Sequence, residues 1–98
     1  MSNVTSYAVM WDDGGSPSVG RLEVIDDHVV LTGGSNGHPQ LIEFDTSDVE
    51  DVHVVTPPRE RLAGRPTLAI ALADARLLRV GALSGFGVLS EITAALIA

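Results

Sequence analysis

The chain has no cysteine and no lysine among its 98 residues, and only four aromatic side chains. Without cysteine there are no disulfides, no thiolate nucleophile and no zinc–cysteine site. Without lysine there is no Schiff-base chemistry and no phosphate-binding P-loop, so Gly33-Gly34-Ser35-Asn36-Gly37 reads as a turn rather than the start of a nucleotide site. No run of about eighteen apolar residues occurs, so no helical membrane span is expected. The first residues, Met1-Ser2-Asn3-Val4-Thr5-Ser6, show neither a basic nor an apolar leader pattern, and a cytoplasmic location is expected.

Positive charge is also scarce. Thirteen acids against six arginines leave a formal charge of −7. A surface of that sign repels phosphate backbones and anionic headgroups, so neither nucleic acid nor stable membrane binding is expected. The length and the 45% apolar content suit a single domain spanning residues 1–98.

What is present is a series of short alternating apolar runs cut by glycine and aspartate turns, followed from Ser84 by an amphipathic stretch. Strands are expected at Tyr7 to Trp11, Val19 to Ile25, His28 to Thr32, Leu41 to Phe44, Val49 to Val55, Thr67 to Ala73 and Leu77 to Ala82. Asp12 to Ser18, Gly33 to Pro39 and the proline-rich Thr56 to Pro66 read as loops, and Asp26-Asp27 as a hairpin turn. Ser84 is the expected helix cap, with Phe86, Leu89, Ile92 and Leu96 on one apolar stripe and Glu91 near the helix start. Tyr7 and Trp11 are expected in the core.

The fold class is therefore mainly β: a seven-stranded antiparallel barrel or orthogonal sandwich capped by one C-terminal helix. This order resembles the pleckstrin-homology-like fold, especially its small bacterial members. The resemblance is carried by the hairpin from Gly20-Arg21-Leu22-Glu23-Val24 to Val29-Val30-Leu31 and by Phe44-Asp45-Thr46-Ser47-Asp48-Val49-Glu50-Asp51-Val52. It implies a scaffold used mostly to bind proteins or peptides. Family members that bind phosphoinositides place cations in the first hairpin loop, where this chain has Asp12 and Asp13, so headgroup binding is not implied here.

Three groups of residues are candidate sites. Arg59, Arg61 and Arg65 gather half of the cations in one loop, where they can fork onto a partner's carboxylate or phosphate or pair with the chain's own acids. Asp48, Asp51 and His53 combine carboxylates with an imidazole, but the spacing matches no metal or catalytic signature, and Ser84 lacks the glycine two residues before it that a hydrolase elbow requires. The strand from Thr67 is apolar on both faces: Leu68, Ile70 and Leu72 on one, Ala69, Ala71 and Ala73 on the other. The alanine face, extended by Val55, is either covered within the chain or pressed against a second subunit. The expectation is a non-catalytic protein-interaction module without cofactor or metal that forms a homodimer through this face, the alternative being an anion binder built on the arginine loop.

Overall fold

The computed structural model describes residues 4–35, 38–55, 62–83 and 87–97. Seven strands form one antiparallel sheet: β1 (Val4–Asp12), β2 (Ser18–Ile25), β3 (His28–Ser35), β4 (His38–Asp45), β5 (Val49–Val54), β6 (Thr67–Leu72) and β7 (Leu77–Ala82). Their spatial order is β4-β3-β2-β1-β7-β6-β5, so β4 and β5 are the free edges of a curled half-barrel. The helix α1 (Val88–Ile97) packs mainly against β5 and β7.

Period-two alternation sets which face is inward. Val9 and Trp11 of β1, Leu22 and Val24 of β2, Val29 and Leu31 of β3, and Leu68, Ile70 and Leu72 of β6 are buried in one core. Ile92 and Leu96 of α1 complete it, with Leu89 and Tyr7 partly buried against them. The expected core aromatics and helix stripe are thus in place wherever they fall within the described residues. Ser84 and Phe86 lie outside those residues.

Three expectations need correction. Gly33 to Ser35 and His38 to Pro39 are strand rather than loop: the β3–β4 ladder runs through Gly33↔Gln40 and Gly34↔Pro39 to Ser35↔His38. The glycine at 33 serves a close approach, because a Cβ there would stand 3.1 Å from Trp11 Nε1, the nitrogen that donates to the Thr32 carbonyl at 3.0 Å. Gly20 is more constrained still, since a Cβ on it would lie 2.0 Å from the Thr32 carbonyl oxygen.

The first turn also starts later than its composition suggests. Asp12 is the last residue of β1, paired with Arg79 of β7, and its side chain is buried. At the other end, β6 stops at Leu72, and Ala73 belongs to the turn that follows, where its N–H donates to the Asp48 carbonyl at 2.8 Å. Asp26, with a φ of 55°, makes the tight hairpin turn that Asp26-Asp27 promised.

Candidate functional site

An opening lined mostly by apolar side chains lies between the edge strand β5 and α1. Val52 and Val54 of β5 point inward, paired with Ile70 and Leu68 of β6. Val52 reaches the core, whereas Val54 sits beyond it and remains 57% exposed. Across from it, α1 presents Leu89, Ser90, Thr93, Ala94 and Ile97, the last 61% exposed, and the groove between them encloses about 430 Å³. Thr93 spends its hydroxyl on the Leu89 carbonyl at 2.8 Å, so it does not compete for a ligand.

The backbone of β5 adds to this groove. Val55 N–H donates to the Thr67 carbonyl at 2.8 Å, and hydrogen-bonded pairs alternate along an antiparallel ladder. By that alternation His53 and Asp51 turn their backbone groups toward β6, and Val52 and Val54 turn theirs toward the free edge. Val54 therefore offers an apolar side chain and unpaired backbone groups at one place. The carboxylates of β5 and α1 do not line the groove: Asp51 is on the opposite face of β5 with His53, and the Glu91 charge acts on Tyr7 of β1.

The residues singled out in the sequence are dispersed. Asp51 and His53 share a face and meet at 2.9 Å, while the Asp48 carboxylate accepts from the Asp45 N–H at 3.1 Å in the short 3-10 turn before β5. Among the described residues no cluster of three or more potential metal ligands occurs. Arg65 is exposed and its carbonyl accepts from Thr67 Oγ1 at 2.8 Å; Arg59 and Arg61 lie outside the described residues. Arg21 donates through Nε to Ser6 Oγ at 2.8 Å.

The alanine face is narrower than the alternation suggests. Ala69 and Val55 are buried within the chain, Ala71 is half-buried and Ala73 is exposed in its turn. Ala69 sits between its ladder partners His53 and Arg79, and with Val55, Gly14 and Leu77 they line a shallow cleft of about 350 Å³.

Two polar arrangements escaped sequence reasoning. Asp12, whose side chain is 1% exposed, receives Arg79 Nε at 3.2 Å and NH2 at 2.5 Å. The two residues are 67 positions apart, and no local pattern joins them. His28 faces its ladder partner Asp45, with Nδ1 3.0 Å from the carboxylate and Glu43 3.8 Å from Nε2. The bond to Asp45, aided by the charges of Glu43 and Asp45, holds the imidazole above its usual range. The Tyr7 hydroxyl is likewise raised, by burial and then by the charge of Glu91.

Fold and groove together define a small domain made of a curled antiparallel sheet capped by a C-terminal helix. No family model matches the chain, and no curated protein does. Among solved structures it is similar to the C-terminal domain of an unknown protein from Leishmania infantum, with a TM-score of 0.76 and 8% identity over 99% of this chain and 86% of that one. At that identity the likeness concerns the fold alone. Among the described residues, no helix is long and apolar enough to cross a membrane.

Proposed function

We propose that this chain is a non-catalytic protein-interaction module of pleckstrin-homology-like architecture that receives an extended segment of a partner between β5 and α1. The observation that carries this reading is the coincidence at Val54 of an exposed apolar side chain, free backbone groups on a sheet edge, and an apolar helix face opposite. A segment laid along β5 gains main-chain hydrogen bonds from the edge and places alternate side chains in the groove. The lining of Val54, Leu89, Ala94 and Ile97 favours a segment with an apolar anchor. The strand order and terminal helix support the pleckstrin-homology-like assignment, and a cysteine-free chain suits a cytoplasmic location.

The test is selection of binders from a library of random peptides, followed by chemical-shift mapping of a selected peptide on the labelled domain. The expected binders carry an apolar anchor, shift the amides of Val52 and Val54 and of residues 89–97, and lose affinity to Val54→Asp. Binders that map elsewhere, or that are indifferent to Val54→Asp, refute the reading. The anion-binding alternative draws on Arg59 and Arg61, which lie outside the described residues, and Arg65 alone does not build a site.

A further inference from the structure

The groove between β5 and α1 continues past Val54 toward the start of the strand. Ile97 lines it and also lines a second cavity of about 680 Å³, whose other walls are Asp27, Asp45, Thr46, Ser47, Val49 and Leu96. One strand face joins the two cavities. Val49, Val52 and Val54 all turn inward, because the bulge between Val49 and Asp51 takes up one residue of the alternation.

The chemistry changes along that face. The cavity at Val54 is mostly apolar, whereas the one at Val49 sets two carboxylates and two hydroxyls beside an apolar wall of Val49, Leu96 and Ile97. Its polar residues are tied to one another. The Thr46 N–H donates to the Asp27 carbonyl at 2.8 Å, which fastens the 3-10 turn to the β2–β3 hairpin turn, and Asp45 Oδ1 lies 3.0 Å from His28 Nδ1. No arginine lines the cavity. Among the described residues the acids do not gather three potential metal ligands, so the site suits an organic cation rather than a metal ion. An apolar wall beside carboxylates is the environment of a long basic side chain, whose methylenes lie on the wall while its head donates to the acids.

We propose that the segment received at β5 carries an arginine or lysine about four residues from its apolar anchor, with its stem on Val49, Leu96 and Ile97 and its head between Asp27 and Asp45. The spacing follows from the strand: from Val54 to Val49, with the bulge discounted, β5 advances about 13 Å, which an extended segment covers in about four residues. An even count returns the side chain to the face that carries the anchor. The formal charge of −7 favours the approach of such a segment. This inference rests on the β5 reading and adds to it the feature that distinguishes one apolar segment from another.

The test uses peptides selected from the random library for binding at β5. They are expected to carry arginine or lysine at that spacing. Replacing that residue with glutamine should weaken binding about three- to tenfold, and Asp27→Asn combined with Asp45→Asn should do the same. The two changes together should cost little more than either alone, because they remove the same contact. Added salt should weaken the wild-type complex and leave the glutamine peptide nearly unaffected. Asp27→Asn alone, which keeps the bond between Asp45 and His28, repeats the comparison if the double variant is not folded by circular dichroism. Peptides that map to β5 and need Val54 but lack a basic residue at that spacing, or that bind the asparagine variants as tightly, overturn this inference and leave the β5 reading standing. Peptides that map away from β5 overturn both.

Discussion

Replacing Arg79 with alanine should be among the more damaging single changes available outside the apolar core. The guanidinium reaches Asp12 at 3.2 Å and 2.5 Å, and the carboxylate it meets is 1% exposed. With Arg79 removed, the Gly14 N–H at 3.2 Å is the donor that remains to Asp12 among the bonds described. Stranding a charge by deleting its partner costs about 3–5 kcal/mol for a fully buried pair. Arg79 is itself 33% exposed, so water can enter the vacated space, and a loss of about 2–4 kcal/mol is the better expectation. For a domain of this size, that lowers Tm by about 10–25 °C. Urea and thermal unfolding of Arg79→Ala, Asp12→Asn and the double variant form the assay. The double variant should recover part of the loss, because the stranded charge is gone. A loss below about 1 kcal/mol, with the two single changes simply additive, would show the pair to be solvated and would refute the reasoning.

Two further outcomes follow from the geometry. Gly20→Ala forces a methyl to within 2.0 Å of the Thr32 carbonyl oxygen, so β2 and β3 must part or the variant must fail to fold; urea unfolding should show a loss above about 2 kcal/mol, and a near-neutral result would refute the close approach. The raised His28 titration stabilises the protonated form in the folded state, so its contribution is complete below the ordinary value of 6.5 and is lost as pH rises through the higher folded value. The unfolding midpoint should fall across that window relative to His28→Gln, and parallel pH profiles for the two proteins would contradict the assignment.

Much of the architecture was legible from alternation alone. Leu22 and Val24, Leu68, Ile70 and Leu72, and Ile92 and Leu96 all declare their buried faces by spacing, because strand and helix periods act locally. What failed was set by partners distant in sequence. Gly33 and Gly34 read as a turn, yet they extend a ladder whose lack of side chain at Gly33 accommodates the Trp11 indole. Asp12 read as a loop acid until Arg79 closed on it from β7.

The candidate surfaces show the same limit. The alternation of β6 marked Ala69 and Ala71 as outward, but flanking residues on β5 and β7 decide how much of each remains open. Val54 follows the same inward period as Val52, and only the placement of α1 separates a core residue from the floor of a groove. The free edges at β4 and β5 are likewise consequences of topology, which no strand records in its own composition.

The central claim is that a partner binds as an added strand at β5, and amide hydrogen exchange of the domain with a selected peptide tests it most directly. The account predicts that the Val52 and Val54 amides, turned to the free edge, become protected on binding, while those of Asp51 and His53, turned toward β6, change little. Binding that leaves Val52 and Val54 exchanging as in the free domain would contradict it.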